Sequence, residues 1–211
     1  MAPDGLALQK FPFFLGAQIM ARLSPEQFAT QFDGLFTEST FRLEALDHYV
    51  ASNEAEPFRL FQEGKRPDQA WRAPWMRFVR SVLASGRHMA RVHVVTEPLT
   101  DYTRFELTCV YPSNVEAGED VRILPRQQVI DLDLPAWDFW LLDSVRVAVM
   151  DYDVDGNWLG VELTEATETV QRSCKTRDAL LARAVPLNTY LARIKQTPEE
   201  TGNGRTHHRA S

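Results

Sequence analysis

Two runs of alternating apolar and polar residues, separated by Asp155-Gly156, constrain the fold of this chain most strongly. Valines occupy every second position at 145–149, and aliphatic residues occupy every second position at 159–163. A period of two is typical of β-strands, and Asp-Gly is a favoured hairpin turn. The sequence therefore predicts an antiparallel hairpin inside a β region that runs from Asp138 to Leu163.

The same hairpin contains a calcium-loop pattern. Residues 151–156 read Asp-Tyr-Asp-Val-Asp-Gly, and Glu162 follows at the spacing of an EF-hand loop. Oxygen ligands at these positions suit Ca²⁺. An EF-hand needs a helix on each side, however, and both flanks here alternate as strands do. We therefore favour an acidic hairpin turn that faces water, and keep a calcium site as the alternative.

Helix and strand signals alternate along the rest of the chain. Ser24, Pro25 and Gln27 form a capping-box signature at the start of a helix. Alternation of this kind indicates an α/β fold, with α+β possible. We expect a central mixed sheet with an antiparallel hairpin, helices packed on it and a helical N-terminal segment. The further predicted elements are helices at 41–49, 53–64, 75–85, 100–111 (halted by Pro112), 164–185 and around Tyr190, and strands at 90–96 and 120–124.

The length of 211 residues fits one domain. We expect an N-terminal extension at 1–22, a single α/β domain at 23–195 and a disordered tail at 196–211. The tail is polar, contains glycine and has no large apolar side chains, so it has little to bury.

The net charge of −6 limits the partners of the chain. Binding to nucleic-acid phosphates or to anionic membranes needs clustered Lys and Arg, so we expect neither partner. The apolar run at 11–15 is too short to cross a bilayer and no signal-peptide cleavage site follows it. These features predict a cytoplasmic protein.

No motif names a reaction. The sequence contains no Gly-x-Ser-x-Gly elbow, no glycine-rich phosphate loop and no zinc-ligand spacing. The five histidines are interpreted as structural or as part of the tail. We therefore predict no catalytic residue, metal or cofactor.

Polar residues are densest among apolar ones at 97–122, between two predicted strands. Loops at the carboxyl ends of strands are where open α/β sheets bind ligands. The competing interpretation is that Tyr102, Phe105 and Cys109 form a core stripe, with the charged residues facing water. The candidate ligand-binding residues, which include one strand residue, are Arg91, Tyr102, Arg104, Glu106, Asn114, Glu119 and Arg122.

Four segments together resemble an actinobacterial family of unknown function, whose members are typically encoded beside helix-turn-helix regulators in Streptomyces-like genomes. The resemblance covers about residues 35–190, and the segments that carry it are Ser39–Glu44, Glu97–Glu106, Asn114–Arg122 and Asp138–Asp143. It implies an accessory protein of a regulatory system. The layout is also similar to half of a phospholipase D-like fold, although the His-x-Lys signature is missing after both His88 and His93.

Three functional hypotheses follow. The first is a non-enzymatic regulatory accessory or effector-binding protein that acts with a helix-turn-helix regulator or another protein. The alternative is a small-molecule enzyme of a specialised-metabolite pathway that reuses the family fold. The third is a structural homodimer held together by the aromatic residues at 11–14.

Overall fold

The computed structural model describes residues 19–51 and 53–196. These residues form one mixed sheet of eight strands with helices packed around it, which confirms the predicted fold class. The strand order across the sheet is β1-β7-β6-β5-β2-β3-β4-β8. The strands are β1 Ile19–Leu23, β2 Ser39–Glu44, β3 His88–Val95, β4 Asp120–Pro125, β5 Phe139–Leu142, β6 Arg146–Tyr152, β7 Trp158–Thr164 and β8 Val185–Pro186.

Strands β2, β3 and β4 are parallel, and every other strand pair is antiparallel. The two parallel connections each contain helices, as parallel pairing requires. One face of the sheet carries the long helix α6, and we call it the α6 face; the other is the polar face. The helices are α1 Pro25–Gln31, α2 Ala55–Gln62, α3 Ala73–Ala84, α4 Asp101–Phe105, α5 Tyr111–Ala117, α6 Thr167–Arg183 and α7 Leu187–Gln196.

The predicted hairpin is confirmed as β6 and β7, joined by residues 153–157. Gly156 has a φ of 87°, in the left-handed region that favours glycine. A side chain there would also approach the backbone oxygen of His48 to 3.0 Å. The tip of the hairpin therefore touches the segment that follows β2.

The capping box at the N-terminus of α1 is confirmed. Ser24 Oγ accepts a hydrogen bond from Gln27 N at 3.2 Å, and Gln27 Oε1 accepts one from Ser24 N at 2.9 Å. Part of the expected extension at 1–22 is strand β1, which pairs with β7. The aromatic residues at 11–14 and nearly all of the predicted tail lie outside the described residues.

The predicted helix at 41–49 is wrong, because β2 occupies its first half. Phe41 and Leu43 pack on the α6 face, while Arg42 and Glu44 are buried on the polar face. A central strand that is buried on both faces usually reads as a nearly continuous apolar run, which this segment does not. Phe41 to Glu44 alternate between apolar and charged side chains, which is the period of a strand and not of a helix.

The predicted end of a helix before Pro112 is also wrong. Thr100 caps α4 as expected, with Thr103 N donating to Thr100 Oγ1 at 3.1 Å. The chain then makes a π-helical turn over Glu106–Val110 and continues as α5. Pro112 is the second residue of α5, directly after the π-helical turn, where the regular hydrogen bonding of the helix is already interrupted. Gly118, with a φ of 104°, ends the helix.

The two faces of the sheet have different cores. The α6 face is mainly aliphatic and includes Val92, Val94 and Leu180. The polar face is aromatic at both ends, around Phe32 and around Phe105, with charged residues between them. Within residues 19–51 and 53–196, none of the helices has the length and apolar character needed to cross a bilayer.

Candidate functional site

Charged side chains meet in the middle of the polar face. Arg42 and Glu44 alternate with apolar residues on β2, and Arg91 and His93 do the same on β3. The parallel register places Arg42 beside Arg91 and Glu44 beside His93. Helices α4 and α5 add further polar groups above them. We call the resulting cluster the polar network; it consists of Arg42, Glu44, Arg91, His93, Glu106, Tyr111, Asn114, Glu119 and Asp138.

Arg91 is held by two carboxylates. Its Nη1 lies 2.7 Å from both oxygens of Glu44, and its Nε donates to Glu119 Oε1 at 2.8 Å. Burial disfavours the charged guanidinium, but attraction to Glu119 and Glu44 exceeds that effect and raises the pKa of Arg91. Arg91 is therefore a fully paired buried cation.

Glu44 is the hub of the network. Besides Arg91, it accepts a hydrogen bond from Tyr111 Oη at 2.8 Å and lies 3.5 Å from Arg42 Nε. Burial raises the pKa of a carboxyl group, but the two arginines outweigh it and lower the pKa of Glu44 to about 2. Glu44 is thus ionised throughout the physiological range.

His93 is completely buried. Its Nε2 lies 3.1 Å from the carbonyl oxygen of Leu46, and its Nδ1 lies 2.8 Å from Tyr111 Oη. Because a carbonyl oxygen only accepts, the proton of the neutral ring sits on Nε2. Nδ1 is then an acceptor that competes with Glu44 for the single hydroxyl proton of Tyr111. Burial lowers the pKa of His93 and keeps the imidazole neutral.

Glu106 begins the π-helical turn between α4 and α5, a feature frequent at functional sites. Burial, followed by repulsion from Glu44 and Glu54, raises the pKa of Glu106 well above its usual value. Its Oε2 has no hydrogen-bond partner among the described residues and lies 3.7 Å from His93 Nδ1.

Asp138 anchors the other side of the network. It accepts hydrogen bonds from Tyr49 Oη at 2.5 Å and from Ala45 N at 2.9 Å. Burial raises the pKa of Asp138 to about 6, against the attraction of Arg42. Arg42 Nη2 donates a long hydrogen bond to Asp138 Oδ2 at 3.4 Å and a shorter one to Tyr152 Oη at 2.9 Å.

Residues 45–51, which we call the cover segment, cross the carboxyl ends of β2 and β3. Asp47 accepts hydrogen bonds from Thr96 N and Thr96 Oγ1 at 3.1 and 2.8 Å. At its far end, Val50 N donates to the carbonyl oxygen of Gly156 at 2.9 Å. The cover segment is thus fastened to β3 on one side and to the hairpin tip on the other.

Four of the seven predicted site residues belong to the polar network. Arg91, Glu106 and Glu119 supply charge or a carboxyl group, and Asn114 Nδ2 donates to Glu119 Oε2 at 2.7 Å. A fifth predicted residue, Tyr102, lies beside the network and donates to Glu54 Oε2 at 2.6 Å.

Arg104 and Arg122 lie elsewhere. Arg104 is on the exposed side of α4, with its Nε 3.3 Å from the carbonyl oxygen of Leu99. Arg122 pairs with Asp120 at 3.0 Å, because residues at even positions of β4 point away from the polar face while Val121 and Ile123 point towards it.

The sequence interpretation missed five members of the polar network, Arg42, Glu44, His93, Tyr111 and Asp138, together with Tyr49, which bonds Asp138. Interpreting 41–49 as a helix removed the alternation that places Arg42 and Glu44 on one face. The usable signal was two charged residues at every second position of an otherwise apolar run. Asp138 ends a loop, and nothing local in the sequence indicates that it reaches β2 across the sheet.

The calcium-loop residues do not converge. Asp153 Oδ1 accepts from the backbone N–H groups of Asp155 and Asn157 at 3.0 and 2.8 Å, within its own turn. Glu162 pairs with Arg22 of β1 at 2.6 Å. Within the part of the chain that the structure describes, no group of three or more His, Cys, Asp or Glu side chains is placed to hold a metal ion.

A cavity of about 230 Å³ lies on the opposite side of the sheet. Leu132, Leu134, Arg172 and Lys175 are among its lining residues. None of the predicted site residues reaches it, and no part of the polar network lines it. The polar network and this cavity therefore lie on different faces of the sheet.

A family model described as a domain of unknown function, DUF6879, matches residues 26–192. The match spans most of the chain and includes every residue of the polar network. A search of curated proteins finds no match.

A search of solved structures finds similarity to TrmBL2, described as an archaeal chromatin protein with a novel mode of DNA binding. The TM-score is 0.43 and the identity is 10%, over 82% of this chain and 56% of that chain. The chain thus spans little more than half of that protein, and a likeness at this level decides neither fold nor function.

Proposed function

The chain belongs to the DUF6879 family, and from that premise we propose that it is a non-catalytic regulatory domain that binds a small effector in the polar network, beneath the cover segment. One observation carries the proposal: Arg42 Nη1 and Glu106 Oε2, on either side of Glu44, are buried polar atoms without a hydrogen-bond partner among the described residues. Buried polar groups are nearly always paired, and exceptions call for a specific cause. Recognition of a ligand is such a cause.

Burial of the network favours a regulatory role. Arg42 is 3% exposed and His93 is 0% exposed, so a ligand reaches them only after a local movement, which we assign to the cover segment. Binding is then coupled to a change of conformation, because the ligand has affinity for the open or rearranged state alone. Such coupling is what an effector domain needs to signal to a partner.

The partner side of the proposal rests on the sequence resemblance. A helix-turn-helix regulator is the proposed protein partner, as the resemblance to families encoded beside such regulators implies. The actinobacterial origin and the likeness to half of a phospholipase D-like fold belong to the same set of expectations. A homodimer is the remaining assembly to be distinguished.

Native mass spectrometry and hydrogen exchange together test the proposal. The full chain, isolated gently from its own cells, is expected to carry the added mass of a small molecule. Removing that molecule should change the exchange rates of the Leu46 and Val50 amides, which bond to Tyr49 Oη and to the carbonyl of Gly156. A bare chain mass together with unchanged exchange in the cover segment would falsify the proposal. The added mass of a protein would identify the partner.

An enzymatic role is the second candidate, and Glu106 and His93 are the observation that favours it. A carboxyl group with a raised pKa lies 3.7 Å from a neutral imidazole, an arrangement suited to proton transfer. Incubating the retained molecule with wild type and with Glu106→Gln separates the two roles. Conversion by wild type that is lost in the variant supports an enzyme, and an unaltered molecule supports the effector role.

A further inference from the structure

Two neighbouring arginines of the polar network have very different partners. Arg91 has three charge-assisted contacts of 2.7–2.8 Å to Glu44 and Glu119. Arg42 approaches its two carboxylates, Asp138 and Glu44, only to 3.4 and 3.5 Å. Charge-assisted hydrogen bonds to carboxylates normally lie at about 2.7–2.9 Å. Arg91 is therefore saturated, whereas Arg42 lacks a close anionic partner.

The best contact of Arg42 is neutral. Its Nη2 donates to Tyr152 Oη at 2.9 Å, and its guanidinium lies over the ring of Trp140 at 5.5 Å. Its Nη1 has no hydrogen-bond partner within the described residues, although the side chain is 3% exposed. A buried guanidinium that keeps its charge without a closely bonded carboxylate is prepared for an anion from outside the chain.

The buried arginines and carboxylates of the polar face are compatible with binding such an anion. Arg42, Arg72 and Arg91 are buried there together. Glu44 and Glu119 are committed to Arg91, and burial raises the pKa values of Glu54 and Glu106, which favours their neutral forms. Arg72 bonds only the neutral Ser113 and Asn114, and Arg42 has Asp138 and Glu44 no nearer than 3.4 and 3.5 Å. Two of the three guanidinium groups therefore lack a close anionic partner.

We propose that the effector of this domain carries a small oxyanion, a carboxylate or a phosphate group, and that Arg42 binds it through Nη1. The inference rests on the proposed function and names the ligand class of the same site. Arg91 positions Glu44 and does not contact the ligand. Specificity between carboxylate and phosphate is set at Arg42 and its neighbours Tyr152 and Thr40, whose Oγ1 is also buried without a partner among the described residues.

The entrance lies where the cover segment meets the hairpin tip. Tyr152, the last residue of β6, is only partly buried and leads from the hairpin to Arg42. Val50 and Gly156 close this position through their backbone hydrogen bond. An oxyanion therefore enters beside Tyr152 when that bond opens.

The test uses the full chain at pH 7 with sodium phosphate, sodium acetate or sodium chloride at equal ionic strength. Thermal unfolding gives Tm in each salt, and titration calorimetry gives the affinity for each anion. We expect one oxyanion to raise Tm by several degrees over chloride, and the arm that does so identifies the group. The Arg42→Lys variant keeps the buried charge but has only one donor centre. It should weaken the measured affinity at least tenfold.

Arg80→Lys is the matched control, because Arg80 is half-exposed and pairs only loosely with Glu116, at 3.6 Å. It should bind the oxyanion as wild type does. If Arg42→Lys fails to fold, Tyr152→Phe replaces it. Tyr152→Phe leaves Arg42 in place and frees Nη2, so the affinity should rise, and an unchanged or lower affinity contradicts the inference.

The remaining outcomes separate the inference from the proposed function. Equal Tm in all three salts, or a shift that survives Arg42→Lys, overturns the oxyanion inference. Stabilisation by an uncharged compound that also alters exchange in the cover segment would then leave the effector role standing. Conversely, oxyanion binding through Arg42 with unchanged exchange at Leu46 and Val50 retains the ligand class and removes the conformational coupling.

Discussion

At the scale of single residues, the polar face holds buried charges, and its stability depends on the ion pairs that most of them form. Glu119 is 2% exposed and bonds both Arg91 and Asn114. Removing one partner of a buried ion pair leaves the other charge desolvated, which is far more costly than losing an exposed pair. The network therefore adds little to stability when whole and is very sensitive when broken.

Glu119→Gln tests this sensitivity. The change removes the negative charge beside Arg91 and should lower the free energy of unfolding by about 3 kcal/mol, measured by urea denaturation. Glu116→Gln is the control, since Glu116 is 73% exposed and lies 3.6 Å from Arg80. The control should change stability by less than about 0.5 kcal/mol. Equal effects of the two substitutions would contradict the argument.

Glu106 gives the protein a pH dependence of defined sign. Its pKa is raised in the folded state, so the unfolded chain releases the proton first as pH rises. Its contribution to stability is complete below the ordinary carboxyl pKa and is lost as pH rises towards the folded value. The groups that surround it are Glu44, Glu54, Arg91 and Tyr111, with His93 facing it from β3.

Glu106→Gln removes this titration. As pH rises above the ordinary carboxyl pKa, the wild type should lose up to about 1.4 kcal/mol per pH unit through Glu106, and the variant should not. Urea unfolding at several pH values gives the free energy of unfolding of both proteins. The titrations of Glu54 and Asp138 are common to both, so they largely cancel in the difference. Parallel curves for both proteins would show that Glu106 is ionised in the folded state.

At the scale of elements, strand β1 is held against β7 by a close backbone approach. Gly160 of β7 has a φ of 149°, and an added Cβ would lie 2.5 Å from the carbonyl oxygen of Leu23. Neither the backbone conformation nor the distance admits a side chain. The pairing of β1 with β7 at the edge of the sheet therefore requires glycine at position 160.

Gly160→Ala should therefore destabilise the protein by about 1–3 kcal/mol, seen as a lower Tm. Gly34→Ala is the control, because nothing lies within 4 Å of its added Cβ and its φ is not positive. That control should be neutral or slightly stabilising. A Tm for Gly160→Ala equal to that of the control would mean that β1 and β7 separate without penalty.

The hairpin leads to a prediction about metal. Asp153 bonds its own turn and Glu162 pairs with Arg22, so calcium ligation would break existing contacts. Adding millimolar CaCl₂, or removing metal with EDTA, should leave Tm unchanged. A calcium-dependent rise in Tm that Glu162→Gln abolishes would restore the calcium interpretation.

The elements also show what the sequence could predict. The helix at Ser24, the helix that ends at Gly86 and the hairpin at Asp155-Gly156 were predictable because caps and turns depend on neighbouring residues. Strand β2 was not, because its apolar side chains face α6 and its charged ones face α4 and α5. Its period of two is visible in the sequence, but the burial of its charged side chains becomes clear only when partners distant in sequence are known.

The candidate site likewise contains residues that local sequence could indicate and residues that only tertiary structure brings together. Glu106, Asn114 and Glu119 could be predicted because they fall in one stretch between predicted strands, and Arg91 because it lies on the strand that precedes this stretch. Arg42 and Asp138 are 96 positions apart and meet only through the order of the sheet. Sequence alone therefore indicated one half of the polar network, and tertiary structure supplied the other.

At the scale of the whole molecule, one sheet separates two cores and connects them. Trp137 packs with the core on the α6 face, whereas Trp75, Trp140 and Trp158 belong to the polar face. Strands β2, β5 and β6 contribute side chains to both cores. Neither core can unfold while the other keeps its strands.

Unfolding should therefore be a single cooperative transition. Tryptophan fluorescence, which reports both faces, and far-ultraviolet circular dichroism should give the same urea midpoint. The Glu106→Gln variant, which carries no charge at that position, is expected to keep this coincidence. Separate midpoints would indicate that the α6 face and the polar face are independent units.

Opening of the cover segment should be coupled to proton uptake by His93, because His93 Nε2 donates to the carbonyl oxygen of Leu46 in that segment. While the segment is in place, burial keeps the imidazole neutral and outweighs the carbonyl oxygen of Leu46, which as an acceptor favours the protonated ring. When the segment moves away, the ring gains water and its pKa returns towards about 6.5. Opening slightly below neutral pH therefore absorbs part of a proton from solution, and a dye in weakly buffered solvent would report the movement as a small alkaline drift.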